Sequence, residues 1–122
     1  MEKIHIIITD DHQLFRNGLK ILLNSFPDFE VTGEASNGEE FVNLLKNTKA
    51  EIALMDINMP EMDGLAALKE IKSFDPGARV VMLTALGQES VVLQAIKSGA
   101  RDFVVKPFEK ERVLSAISKL LG

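Results

Sequence analysis

The sequence contains no cysteine in its 122 residues. That absence excludes a disulfide framework, a thiolate metal site and a cysteine nucleophile. It has no apolar stretch approaching the roughly 18 residues that a membrane-crossing helix needs. The opening run "MEKIHIIITDD" lacks the small-residue cleavage site of a secretory signal, and its apolar part is short. An excess of positive charge is also missing, with 14 Lys and Arg against 18 Asp and Glu and a net charge of −4. Phosphate contacts need clustered Lys and Arg, so direct nucleic-acid binding by this domain is not expected. No low-complexity tract, internal repeat or linker is evident. The expectation is one domain spanning residues 1–122, cytoplasmic and without a membrane partner.

Apolar residues make up 46% of the chain, enough for a sizeable core, and their periodicity alternates between two kinds of segment. "IHIIIT" (4–9) is short, isoleucine-rich and nearly continuous, the pattern of a strand buried on both faces. Residues 13–24 place Leu14, Phe15, Leu19, Ile21, Leu22 and Leu23 at helical spacings. "EVTGEA" (30–35) is a weaker strand, followed by a helix over 39–47 with Phe41, Leu44 and Leu45 on one face. "EIALMD" (51–56) is a strand, "LAALKEIKS" (65–73) a helix and "ARVVMLTA" (78–85) a strand. "ESVVLQAIKSG" (89–99) is a helix ended by a left-handed cap at Gly99. "DFVVKP" (102–107) is a strand stopped by Pro107, and a helix over 109–121 carries Val113, Ile117, Leu120 and Leu121 on a stripe.

Five βα units in succession imply an α/β fold, a doubly wound parallel sheet covered by helices in three layers. Right-handed crossovers bring the C-terminal ends of all strands to one edge, where such sheets bind ligands. Asp10 and Asp11 end the first strand and Asp56 ends the third. With those strands adjacent, three carboxylates converge. Alone, Asp10 and Asp11 read as caps of the following helix. A cap does not explain a second acidic strand end.

Carboxylates crowded together repel one another unless a positive charge sits among them. Mg²⁺, a hard cation that takes oxygen ligands, meets that need. Thr84 ends the fourth strand with a hydroxyl, and Lys106 ends the fifth with an ammonium able to pair a carboxylate or a bound anion. Separately, Thr84 reads as ordinary strand propensity and Lys106 as a solvated strand terminus; the case rests on co-location. The "DINMPEMDG" loop (56–64) is punctuated by Pro60 and Gly64 and could present a carbonyl to a metal, with Asp63 as a cap for the next helix. No phosphate loop, dinucleotide fingerprint or nucleophile elbow occurs. His5 and His12 are not arranged as a zinc pair; His5 reads as part of the first strand, and His12 flanks the acids without an assigned catalytic role. What remains is equipment for phosphoryl transfer, with a carboxylate nucleophile, a magnesium site, an ammonium and a hydroxyl.

The segments "DD" (10–11), "MDINMPEMDG" (55–64), "LTA" (83–85) and "GARDFVVKPF" (99–108) resemble the receiver domain of two-component response regulators over essentially the whole length. The resemblance supplies the strand order 2-1-3-4-5, the flavodoxin-like order that chemotaxis receivers share. It implies that Asp56 is the phospho-acceptor, served by the histidine of a sensor kinase or phosphotransfer protein. It implies that Asp11, Asp56 and the backbone carbonyl of Asn58 bind Mg²⁺, with Asp10 acting largely through a metal-bound water. Lys106 would contact the phosphoryl oxygens, next to a cis bond at Pro107, and Thr84 would swing toward the acyl phosphate. Phe103 stands at the switch position, where many relatives carry Tyr. Self-catalysed phosphorylation and dephosphorylation are the only chemistry implied, so the domain is not an enzyme in the usual sense. Asn58 and Leu86 occupy the positions that tune the second of these. "DDHQLFRNGL" is similar to receivers fused to helix-turn-helix output domains, whereas "ALGQESVVLQAIKSGARDFVVKPF" is closer to stand-alone chemotaxis receivers.

Phosphorylation replaces a single carboxylate charge with a group near −2. The change is expected to reach the face built from the fourth helix, fifth strand and fifth helix. On that fourth helix Val92, Ala95 and Ile96 suit the core, while Val91 lies off the stripe and marks either incidental exposure or a partner or dimer surface, including a phosphorylation-dependent homodimer. Two other classes compete. A haloacid-dehalogenase-like Mg²⁺ phosphatase also uses a strand-end Asp, but wants D-x-D, which neither "DDH" nor "DIN" supplies. A non-phosphorylated interaction module would not need the full set of Asp10, Asp11, Asp56, Thr84 and Lys106.

Overall fold

The computed structural model describes residues 3–47, 50–56, 64–75, 77–85, 89–106 and 110–121. Strands and helices alternate as β1 Ile4–Thr9, α1 Gln13–Asn24, β2 Phe29–Ala35, α2 Gly38–Asn47, β3 Ile52–Asp56, α3 Gly64–Phe74, β4 Val80–Ala85, α4 Glu89–Lys97, β5 Asp102–Lys106 and α5 Lys110–Leu121. The elements are those expected from the apolar periodicity. The strands form one parallel sheet in the order β2-β1-β3-β4-β5, the flavodoxin-like arrangement. Among the described residues no helix is long and apolar enough to cross a membrane.

The near-continuous apolar strands are explained by burial on both faces. Ile7, Ala53, Met55, Val80 and Met82 point to one side, where they meet Phe41 of α2, Leu68 and Ile71 of α3, and Val92 and Ala95 of α4. Ile6, Ile8, Ile52, Leu54, Val81 and Leu83 point to the other, against Leu19 and Leu23 of α1 and Val113 and Ile117 of α5. Each fully buried Ile or Leu favours the folded chain by roughly 1.5–3 kcal/mol over an exposed one. Edge strand β2 is less regular. Its pairing with β1 runs Ile6↔Val31 and then Ile7↔Gly33, leaving Thr32 as a bulge.

Two helix ends are closed by side-chain and backbone chemistry visible in the sequence. Asn37 precedes α2, and its Oδ1 accepts the N–H of Glu40 at 2.8 Å. Glu40 Oε1 reaches back to the N–H and hydroxyl of Ser36 at 2.8 and 2.7 Å, a variant of the capping box. At the other end of α4, Ala100 N–H donates to Ala95 O and Gly99 N–H to Ile96 O, a Schellman closure. Gly99 takes φ +114°, a backbone region that side chains disfavour. The Lys72 stem lies over it, with its Nζ donating to Ala78 O at 2.6 Å. Burial, aided by the Arg101 charge, holds the Lys72 ammonium below the usual lysine range.

The inward arc of α4 differs from the sequence expectation. Val92 and Ala95 are buried, as expected, but Ile96 is 40% exposed and Val91 packs against the core. Successive residues are about 100° apart around a helix. Positions 91, 92 and 95 therefore share one arc, and 92, 95 and 96 share an overlapping one. Burial in the structure follows the first. Ile96 and Leu93, which is 61% exposed, form the outward apolar pair instead.

Candidate functional site

All strands run parallel, so the residues that follow or finish them gather on one edge. Asp10 leaves β1 with its N–H still donating to Ala35 O of β2 at 3.1 Å. Its carbonyl accepts a hydrogen bond from Arg16 of α1. Its side chain is completely buried, and a buried charge is tolerated only when well partnered. Asp10 Oδ1 accepts the His12 backbone N–H at 2.9 Å and faces His12 Nδ1 at 3.1 Å. Asp10 Oδ2 accepts from Lys106 Nζ at 2.5 Å.

Asp56 closes β3 and is also buried. Lys106 Nζ stands 3.4 Å from Asp56 Oδ2, so one ammonium serves acids from two strands. Beneath it lies the Phe15 ring, its centroid 4.2 Å from Nζ. A cation over an aromatic face is attracted by the ring quadrupole. Asp11 is more open, with its Oδ1 at 3.2 Å from His12 Nδ1. One ligand atom each from Asp10, Asp11, His12 and Asp56 falls within 4.8 Å of all the others.

The donor set fits a divalent cation. Three carboxylates at −3 and one ammonium at +1 leave a formal charge of −2. Oxygen-rich surroundings of this kind suit Mg²⁺, which needs only one or two carboxylates besides water and phosphate oxygens.

The other expected residues are placed as follows. Thr84 is buried on β4. Register pairs Asp56 with Leu83 and Ala85 with Lys106, which sets Thr84 on the strand between the acid and the ammonium. Phe103 of β5 is partly buried and packs on the α2–α3–α4 side of the sheet. Asn58, Pro60, Asp63, Leu86 and Pro107 lie outside the described residues. Phe15 and Arg16 were not anticipated as site residues. Their place in the first turn of α1, after the paired acids, is the one sequence feature that sets them near the site.

The profile of the response regulator receiver domain matches residues 6–118. This chain belongs to that family. The chemotaxis protein CheY of Bacillus subtilis (strain 168) is 49% identical over 117 residues, covering 96% of this chain and 97% of that protein. The signal receiver domain of the response regulator NarL from Mycobacterium tuberculosis superposes with a TM-score of 0.92 at 31% identity, covering 100% of this chain and 99% of that one. A chain of the CheX–CheY–BeF3–Mg²⁺ complex from Borrelia burgdorferi superposes with a TM-score of 0.89 at 34% identity, covering 99% of this chain and 91% of that one. The protein is thus a CheY-like receiver of two-component signalling, a signalling phospho-acceptor rather than a conventional enzyme. Its acidic pocket is built from Asp10, Asp11 and Asp56. The family match favours the receiver over the phosphatase alternative.

Proposed function

We propose that this receiver, as a single domain over residues 1–122, takes a phosphoryl group onto Asp56 from a histidine of a sensor kinase or phosphotransfer protein. The observation that carries this reading is the shared ammonium of Lys106 between Asp10 and Asp56. An Asp56 carboxylate oxygen attacks phosphorus, and the bond from phosphorus to the donor imidazole breaks with its electron pair returning to nitrogen. Bound Mg²⁺ supplies charge neutralisation for the phosphoryl oxygens and the carboxylates. Asp11, Asp56 and the backbone carbonyl of Asn58 would hold it, with Asp10 contributing through water. Lys106 orients the phosphoryl oxygens by charge-assisted hydrogen bonds. The occurrence of a 34% identical chain in a complex with BeF3 and Mg²⁺ supports the same pairing of ligands.

Thr84 then donates its hydroxyl to the acyl phosphate, and Phe103 moves into the space it leaves. The shift reaches the face made by α4, β5 and α5, where Leu93 and Ile96 supply exposed apolar surface. A partner, or a second copy in a phosphorylation-dependent homodimer, reads that face. The acidic balance of the domain argues against direct nucleic-acid binding, and a cytoplasmic setting follows from the kinase partner.

Incubation with Mg²⁺ and acetyl phosphate, followed by intact mass measurement, tests this reading. One phosphoryl adduct is expected, lost in Asp56→Asn and suppressed by EDTA. Multiple turnover on diverse phosphomonoesters, or an adduct that survives Asp56→Asn, overturns it.

A further inference from the structure

The geometry points to His12 as a nitrogen ligand that lets the acidic pocket take borderline transition-metal dications, Zn²⁺ or Co²⁺, in competition with Mg²⁺. This inference deepens the magnesium reading above and rests on the same pocket.

His12 occupies the N-cap position of α1, yet its side chain makes no capping bond. The ring turns back to the acids instead. Nδ1 stands 3.1 Å from Asp10 Oδ1 and 3.2 Å from Asp11 Oδ1. Around an ion about 2.1 Å from each ligand, neighbouring ligand atoms are about 3.0 Å apart in an octahedron and about 3.4 Å apart in a tetrahedron. The two observed separations lie between these edges. Asp56 completes a group whose ligand atoms all lie within 4.8 Å of one another.

The neutral ring in the tautomer protonated at Nε2 would offer its Nδ1 lone pair to an ion at this point. The His12 side chain is 70% exposed, so Nε2 is free to donate to water and an ion has a path in. Imidazole nitrogen raises affinity for Zn²⁺ and Co²⁺ but gives little to Mg²⁺, which prefers oxygen and keeps its waters. The pair of adjacent acids thus serves the hard ion, and the residue after them adds the softer preference.

Equilibrium binding of Zn²⁺ and of Mg²⁺ to the intact chain, with and without His12→Ala, tests this. Zn²⁺ affinity is expected to fall at least tenfold while Mg²⁺ affinity changes less than threefold. The visible absorption of bound Co²⁺ should weaken or shift in His12→Ala and in the shape-conserving His12→Gln. His5→Ala should leave Zn²⁺ binding unchanged, since His5 lies at the opposite end of β1 beside Glu51. Equal losses for both ions, an unaltered Co²⁺ spectrum, or loss of Zn²⁺ binding only in His5→Ala overturns the inference. Failure of Mg²⁺ to bind, with Zn²⁺ still dependent on His12, would sink the magnesium reading and leave this one standing.

Discussion

Lys106 Nζ and Asp10 Oδ2 lie 2.5 Å apart, joining residues 96 positions apart in the chain. Asp10 is fully buried and Lys106 is largely so, which makes the pair sensitive to loss of either member. Lys106→Met should lower stability by about 3 kcal/mol, where the worth of a charged hydrogen bond meets that of a broken buried pair. Urea unfolding measures it. Saturating Mg²⁺ should restore more stability to the variant than it adds to the parent, because the cation then stands in for the missing ammonium. Equal Mg²⁺ responses would show that the two charges are independent.

Two glycines should respond in opposite senses. A Cβ built at Gly18, in the middle of α1, meets nothing within 4 Å. Gly18→Ala is therefore expected to stabilise by roughly 0.5–1 kcal/mol. At Gly99 a Cβ would come within 2.8 Å of Lys72 Cε, on a backbone with φ +114°. Gly99→Ala should destabilise by about 1–2 kcal/mol. Thermal or urea midpoints separate the two.

Acid should loosen the start of α2. The Ser36 backbone N–H, then the Ser36 hydroxyl, hold the Glu40 carboxyl below its ordinary value of 4.5. A carboxyl lowered on folding stabilises the fold above its unfolded value, and that contribution disappears as pH falls through the lowered one. Glu40→Gln should therefore show a shallower stability loss below pH 4.5 than the parent, with urea midpoints as the readout. Parallel acid limbs would remove this residue from the acid response.

The α4 arcs make a further contrast. Val92→Ala, at a position 8% exposed, should cost about 1–2 kcal/mol. Leu93→Ala and Ile96→Ala, at 61% and 40% exposure, should each stay within about 0.5 kcal/mol. A large loss at Ile96 would restore the inward placement that the sequence spacing favoured.

That contrast shows where sequence reading ends. Strand and helix order was legible because "IHIIIT" and "EIALMD" are short, nearly continuous apolar runs, the pattern of strands buried on both faces. The meeting of Asp10, Asp56 and Lys106 was legible because strand ends share an edge once the sheet is parallel. Which arc of α4 turns inward was not, since "SVVLQAI" offers apolar residues to two overlapping arcs and only packing against the sheet chooses between them. Phe15 beneath the Lys106 ammonium was equally hidden. Its helical spacing accounts for it as core, and only tertiary packing brings a β5 cation over its ring.

The pocket draws its acids from the turn after β1 and the end of β3, and its ammonium from the last residue of β5. A ribosome exposes those pieces in that order. A growing or prematurely terminated polypeptide therefore holds Asp10 and Asp56 with no Lys106 to reconcile them. The charge balance of the pocket is therefore completed only when β5 is in place.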